Sequence, residues 1–383
     1  MPEKSEKLKA RVYIAADNIT SPIGRTTAEN FEAVKQGRSG IKHYHNPALS
    51  TEPVTASLFP EETVFDVKDK QAYTKFEQLL IASIKDALSQ VEINLTDEKT
   101  ILIISTTKGN ISLLETEAYS DQLKQRIALH TSAKLIQQYF GFKSRPVIIS
   151  NACISGVSAI LTAMRLIQSG HYENAVVAGA DVISKFIITG FQSFKALSNE
   201  ACKPFDRSRD GLNLGEGAAT VILSSNQKFK DKVRVSGGAV SDDANHISGP
   251  SRTGEELGMA IKKAIAEAGI LIRDIAVISA HGTATPYNDE MEAKAVTFAG
   301  LAEVPLNSLK GYYGHTLGAA GLIESIITIH AMEQNLIIPT LGFNELGTTA
   351  VNVTASLKEA ELKHALKTAS GFGGCNAAIV FSK

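Results

Sequence analysis

Asn151-Ala152-Cys153-Ile154-Ser155-Gly156 sets a cysteine between a β-branched run, Pro146 to Ile149, and a helical stretch from about Ser155. A strand that turns through small residues into a helix is the elbow that exposes nucleophiles in other enzymes. The unpaired N–H groups and the dipole at the helix start favour a thiolate there. Taken alone, the segment fits either an activated nucleophile or a buried structural cysteine. Cys202, beside Lys203-Pro204, and Cys375, after Gly373-Gly374, lack the elbow and read as packing residues. His281 follows the apolar run Ile275 to Ala280 and precedes the loop Gly282-Thr283-Ala284-Thr285-Pro286. In an open α/β sheet, groups just past the carboxyl ends of strands line the ligand crevice. His315 lies in Lys310-Gly311-Tyr312-Tyr313-Gly314-His315-Thr316-Leu317-Gly318-Ala319-Ala320-Gly321, again at a helix start. Each histidine by itself is equally compatible with a structural role. His43, His45, His171 and His364 have no such setting and default to the surface.

Metal binding competes for the same residue types, but no CxxC or HExxH spacing occurs and the cysteines are isolated, so no metal is expected. Gly371-Phe372-Gly373-Gly374 lacks the lysine and spacing of a phosphate-binding loop; its amides suit an oxyanion hole instead.

Positioning these groups requires a sizeable scaffold, and 383 residues with 44% hydrophobic content supply one large domain or two fused ones. Lys plus Arg (39) against Asp plus Glu (40) leaves a formal charge of -1, which argues against nucleic-acid or anionic-membrane partners. Three cysteines exclude a disulfide framework and fit a reducing, cytoplasmic setting. The charged opening MPEKSEKLKARV does not read as a secretory signal. From Pro146 to Met164 no residue is charged, yet Ser150, Asn151, Cys153, Ser155, Gly156 and Ser158 interrupt the run. It reads as a buried strand, a turn and a buried helix rather than a membrane span.

Short β-branched runs alternate with helical stretches, the pattern of an α/β protein with buried parallel strands. Strands are expected at Arg11 to Ala15, Thr100 to Ile104, Pro146 to Ile149, Ala175 to Ala178, Ala218 to Leu223 and Val233 to Ala239. Others fall at Ile275 to Ala280, Pro305 to Ser308, Thr368 to Ala369 and Ala377 to Phe381. Helices are expected at Thr27 to Gln36, Lys70 to Gln90, Ala133 to Phe140, Ser155 to Gln168, Gly254 to Ala268, Asp289 to Phe298 and Gly318 to Glu333. Tyr44 to Asp66, with three prolines and weak periodicity, reads as a surface loop. Gly215 to Ser225 and Gly373 to Ser382 share a glycine-rich entry, an aliphatic strand and a closing serine, which hints at internal duplication.

Together these segments resemble the β-ketoacyl-acyl carrier protein synthases of the elongating, two-histidine type, in the family's order over nearly the whole chain. Ser21-Pro22-Ile23-Gly24 is similar to the opening SPxG, and Asn151 to Gly156 to the nucleophile segment. Pro204-Phe205-Asp206-Arg207-Ser208-Arg209-Asp210-Gly211 with Gly215-Glu216-Gly217 resembles PFDxxRDG…GEG. His281-Gly282-Thr283-Ala284-Thr285 with Asp289 and Glu292 is similar to HGTxTxxxDxxE. Lys310, His315 and Glu324 fall at the spacing of KxxxGHxxGAAGxxE, and Gly371 to Asn376 resembles GFGGTN.

The resemblance implies a thiolase fold, in which two similar βαβαβαββ halves form a five-layered α-β-α-β-α core. Residues 1–230 would carry the nucleophile and residues 231–383 the two histidines. It implies that Cys153 is acylated and that His281 and His315 drive decarboxylative condensation with a malonyl thioester on acyl carrier protein, without a cofactor. Lys310 paired with Glu324 would hold the histidine cluster, Phe372 would gate the pocket, and the amides of Cys153 and Phe372 would form the oxyanion hole. A homodimer, or a heterodimer with a related subunit, is implied too. Lys185, Lys195, Lys203, Arg207 and Arg209 are candidates for a patch facing an acidic carrier protein. Thr106, Thr107, Gly109 and Asn110 are candidates for the loop shaping the distal acyl pocket across a dimer. Three departures stand out: Ala15-Ala16-Asp17-Asn18 in place of a glycine-rich opening, Cys375 in place of threonine, and Tyr312-Tyr313 in place of smaller residues. They point toward a specialised pathway such as polyketide or aryl-polyene synthesis. The competing readings are a biosynthetic thiolase, with Cys375 as second reactive cysteine, and a chain-length partner subunit.

Overall fold

Runs of alanine and β-branched residues with no charged interruption cannot be left at a surface, and here they become the middle of a sheet covered on both faces. A computed structural model describes residues 10–243, 245 and 249–383. The charged opening, residues 1–9, lies outside the described residues.

The first half runs through β1 (Val12–Thr20), α1 (Thr27–Lys35), β2 (Ile41–Tyr44), β3 (Val54–Ser57), α2 (Lys75–Ser89) and β4 (Thr100–Ser105). It continues with α3 (Asp121–Ile127), α4 (Leu129–Phe140), β5 (Val147–Ile149), α5 (Ser155–Gln168), β6 (Asn174–Asp181), α6 (Lys185–Ser193), β7 (Leu214–Gly215) and β8 (Gly217–Ser224). The second half holds β9 (Arg234–Asp242), α7 (Glu255–Ala268), β10 (Val277–Ser279), α8 (Pro286–Phe298), β11 (Leu306–Asn307), α9 (Lys310–Tyr313) and α10 (Ala320–Gln334). It closes with β12 (Leu336–Ile337), β13 (Lys358–Glu359), β14 (His364–Ser370) and β15 (Cys375–Ser382).

The large sheet has the order β11-β10-β14-β15-β9-β1-β8-β6-β4-β5. Read outward from its centre, β1 is antiparallel to β8, β8 antiparallel to β6, and β6-β4-β5 parallel. The other side repeats the pattern: β9 antiparallel to β15, β15 antiparallel to β14, and β14-β10-β11 parallel. The duplicated segments singled out in the sequence are β8 and β15, which occupy equivalent places in the two halves. The half-sheets are joined by a short antiparallel contact, Val12 with Val235 and Tyr13 with Arg234. Helices α2 and α4 cover one outer face, α7 and α8 the other, and α5 and α10 lie between the sheets, giving the five layers of a thiolase fold.

That symmetry positions the chemistry. Helix α5 follows β5, and α10 follows the equivalent β11, so Cys153 and His315 each sit just ahead of one of two matched central helices. The helices cross where Gly156 and Gly321 meet; a Cβ on Gly156 would stand 2.7 Å from Leu322 N, and one on Gly321 2.7 Å from Val157 N. Any side chain there would push the two helix starts apart.

Several expectations need correction. Tyr44 to Asp66 is not all loop: β2 and β3 form a hairpin that β7 extends to three strands. Isolated prolines at its turns hid two short strands. Helices α3 and α6 were not foreseen, α4 starts earlier than expected, at Leu129, and α8 starts at Pro286, where proline fits the first turn. His364 is half-buried on β14, its Nδ1 2.7 Å from Ser382 Oγ. The Ala15-Ala16-Asp17-Asn18 departure lies inside β1, where Asp17 pairs with His330 Nε2 at 3.0 Å and accepts from Thr27 Oγ1. No helix among the described residues is long and apolar enough to cross a membrane.

Candidate active site

The elbow between β5 and α5 is locked by its own side chain. Ser155 Oγ accepts from Asn151 N (2.8 Å) and donates to Ala152 O (2.6 Å), and Ala152 takes a left-handed φ of 41°. A strained residue beside a presented side chain is typical of functional turns. Cys153 faces the crevice from this turn. On the opposite wall, His315 N donates to Asn213 O and Gly215 N donates to His315 O (3.0 Å), so the segment from Asn213 to Gly215 fixes the histidine backbone. A Cβ on Gly215 would collide with Tyr313 O at 2.0 Å, which explains glycine at that close approach.

His315 Nε2 lies 3.0 Å from Cys153 Sγ, and the His281 ring stands edge-on to His315 with centroids 5.1 Å apart. Both tautomers follow from the donors behind the rings. Leu317 N donates to His315 Nδ1 (3.3 Å), and the Lys310 ammonium lies 3.4 Å from His281 Nδ1. With Nδ1 accepting in each case, the ring proton belongs on Nε2. Two N–H donors therefore accompany the sulfur.

The charges behind them are buried. Lys310 Nζ donates to His281 O at 3.0 Å and pairs with Glu324 Oε1, while Lys367 Nζ sits 2.7 Å from Glu324 Oε2. Glu292, also buried, accepts from His281 N and Gly282 N, both at 2.8 Å. Burial first, and the Lys310 charge second, hold both imidazoles well below their ordinary midpoint, so they are neutral at pH 7. Burial pushes Asp289 up to about 7.

The expected resting thiolate is corrected by the same physics. Burial pushes the Cys153 thiol up to about 12, against the opposing pull of Lys310 and Lys108. At neutral pH the resting group is a thiol. Alkylation of Cys153 by a small electrophile, followed by peptide mass, should therefore accelerate about tenfold per pH unit between roughly pH 7 and 9. A plateau across that range would restore the thiolate.

Gly371 to Gly374 runs directly against the elbow; a Cβ on Gly371 would stand 3.0 Å from Cys153 N. Phe372 is 38% exposed, stacked on Phe191 (5.7 Å) and edge-on to Phe194 (5.3 Å). These rings, with Cys153, His281 and His315, line a cavity of about 370 Å³. Cys375 is buried behind it, with Sγ 3.6 Å from Phe372 O, and burial pushes its thiol up to about 11. Cys202 is buried, and its backbone N–H donates to Asn213 Oδ1.

Other candidates fall elsewhere. Arg209 is not a free surface cation: it donates to Asp206 O and Gly347 O, with Nε 4.0 Å from Asp289. Arg207 pairs with Glu345, whereas Lys195 does line the cavity mouth. Thr106 and Thr107 spend their hydroxyls on Asp181, and Asn110 spends its amide on Glu77 and Ser132. Those side chains anchor the loop that carries them. Sequence reasoning missed Phe191 and Phe194, whose i, i+3 spacing was the available signal. It also missed Lys367, a lone charge in the apolar strand Ala365-Leu366-Lys367-Thr368-Ala369.

Sγ and one nitrogen of each histidine lie within 4.8 Å of one another, a spacing that a soft divalent cation can bridge. The Lys310 ammonium beside His281 already supplies positive charge at that point.

The family profile described as "Beta-ketoacyl synthase, N-terminal domain" matches residues 9–228, and "Beta-ketoacyl synthase, C-terminal domain" matches residues 233–344. The chain is 30% identical to the 3-oxoacyl-[acyl-carrier-protein] synthase 2 of Vibrio cholerae serotype O1, over 98% of this chain and 99% of the relative. It is 28% identical to the same-named protein of Staphylococcus aureus strain N315, over 97% and 98%. Among solved structures, the ishigamide ketosynthase/chain length factor superposes with a TM-score of 0.90 at 26% identity, covering 98% of this chain and 100% of that one. A ketosynthase (ApeO) in complex with its chain length factor (ApeC) from Xenorhabdus doucetiae shares the fold, with a TM-score of 0.87 at 23% identity over 97% and 98%. The geometry of the crevice and the match over both halves of the chain lead to one conclusion: this chain belongs to the beta-ketoacyl synthase family.

Proposed function

We propose that the chain catalyses decarboxylative condensation of an acyl group held on Cys153 with malonyl-acyl carrier protein, giving 3-ketoacyl-acyl carrier protein. The observation carrying this reading is the convergence of one thiol and two Nε2–H donors in a single crevice.

In the first step the Cys153 sulfur attacks the acyl thioester; its proton leaves with the departing carrier thiol, so the exchange balances without a cofactor. The helix start at α5 and the His315 N–H stabilise the sulfur charge as it develops. In the second step the malonyl C–C bond breaks, CO2 departs, and negative charge collects on the thioester oxygen. Nε2–H of His281 and of His315 face that oxygen, and neutral imidazoles suit the role because they donate without titrating. The enolate carbon then attacks the Cys153 thioester, whose tetrahedral oxyanion is assigned to the amides of Cys153 and Phe372. Phe372, on a glycine-flanked turn at the cavity mouth, is assigned the gate.

Residues 1–230 form the half carrying the nucleophile and residues 231–383 the half carrying the histidines. Acyl carrier protein is the proposed partner. The chain works as a homodimer or beside a related subunit, in cytoplasmic fatty acid or specialised polyketide synthesis. Retention of Cys153 beside both histidines favours an active synthase over a silent chain-length subunit. Cys375 sits behind the Gly371 turn and does not line the cavity, which disfavours a second reactive cysteine.

Incubation with acyl and malonyl carrier-protein thioesters, read by intact mass and by product chromatography, tests the reading. His315→Ala should lower CO2 release from malonyl-carrier protein by roughly a hundredfold to a thousandfold, the usual effect of one lost oxyanion donor. Acyl loading on Cys153 should persist in part. Unchanged CO2 release would remove His315 from the assigned role.

A further inference from the structure

Lys367 is a buried cation behind this crevice that belongs to none of the motifs above. It is fully buried on β14, opposite Ser279 in the parallel register with β10. Its ammonium contacts Ser279 O (3.3 Å), Ala280 O (3.1 Å) and Thr368 O (2.6 Å) as well as Glu324 Oε2 (2.7 Å). Lys310 donates to the next carbonyl in the chain, that of His281, and pairs with the other oxygen of Glu324. Three consecutive carbonyls, 279 to 281, thus face two ammonium groups that share one carboxylate. On the N–H side of the same turn, Glu292 accepts from His281 N and Gly282 N, and Thr368 Oγ1 donates to Glu292 Oε1 at 2.6 Å. His281 is therefore clamped at its carbonyl by cations and at its amide by an anion, and β14 contributes to both jaws.

We propose that Lys367 is a positioning residue of the condensation site: it grips Glu324 from the side opposite Lys310 and fixes the His281 turn for donation into the cavity. The inference rests on the condensation reading above and adds a residue to it. A buried lysine is costly unless charge partners and hydrogen bonds offset its desolvation, and here Glu324 and three carbonyls do so. One carboxylate already neutralises Lys310, so the second ammonium leaves the cluster more positive.

The charged groups facing Lys367 are Glu324 on α10, Lys310 on α9 and Glu292 on α8, with His281 and His315 at the cavity. The Lys367 charge adds to burial and to Lys310 in depressing both imidazoles. A protonated imidazole would lose its Nδ1 acceptor role and face two ammonium groups. Activity should therefore fall on the acid side as the histidines titrate, and removing Lys367 should move that fall to higher pH.

The test compares the full chain with Lys367→Met. Malonyl decarboxylation should drop by roughly tenfold in kcat with KM little changed, and the acid midpoint should rise by about one pH unit. Histidine NMR titrations, which need no substrate, should show both buried imidazoles titrating higher in the variant. A merely structural lysine would alter stability without moving those midpoints. Coinciding midpoints in the two proteins overturn the proposal, whatever the rate. If the Met variant does not fold, Lys367→Gln is titrated in its place: imidazole midpoints that coincide with those of the wild type overturn the proposal, and raised ones support it. A wild-type chain that titrates as expected but forms no ketoacyl product would sink the condensation reading while leaving the Lys367 clamp standing.

Discussion

Cys153→Ala is expected to lose acyl loading altogether and to lower condensation by roughly 10⁴-fold or more, the scale on which enzymes lose a covalent nucleophile. The sulfur at the elbow has no substitute in the cavity. Cys375 is buried behind the Gly371 turn, and Cys202 is buried beside Asn213. The same variant should keep decarboxylating malonyl-carrier protein. The donors for that step are oriented from behind, by Leu317 N on His315 and by Lys310 on His281, not by the sulfur. Intact mass reports loading and CO2 release reports decarboxylation. An alanine variant that still accepts an acyl group would contradict the assignment.

The second large effect concerns Glu324. Glu324→Ala would leave Lys310 and Lys367 buried with no carboxylate between them. Breaking a buried pair by removing one partner costs about 3–5 kcal/mol, a large part of a typical total of about 5–15 kcal/mol. Chemical denaturation of the variant should show that loss directly. The pH dependence has a definite sign. Burial already holds the Lys367 ammonium below the ordinary lysine range, and without Glu324 its folded pKa falls further below the unfolded one. Between those values the unfolded chain binds more protons, and stability rises with pH. The deficit of the variant should therefore be largest near neutral pH and shrink in alkaline solution. A deficit independent of pH would mean that lost packing, rather than unpaired charge, dominates. Condensation should fall as well, because Lys310 would no longer be held against His281.

The sequence by itself determined the chemistry and the local stage for it. Cys153 after a β-branched run, His281 past an apolar strand and His315 before a helix were legible because strand–turn–helix transitions are written in adjacent residues. The duplicated strands β8 and β15 were legible for the same reason, since a repeated glycine-rich entry and aliphatic run leave a local trace. Tertiary structure alone decided what lies across a gap. Lys367 looked like an ordinary charge until β14 paired with β10 and carried its ammonium onto Glu324. Arg209 looked available until Asp206 O, Gly347 O and Asp289 were seen to occupy it. Even the thiol's state was misjudged from sequence: a helix start argues for a thiolate, but desolvation depends on everything packed around the sulfur. Chain-local signals record backbone preference, whereas burial and partner choice are sums over residues hundreds of positions apart, and those sums set every charge in this crevice.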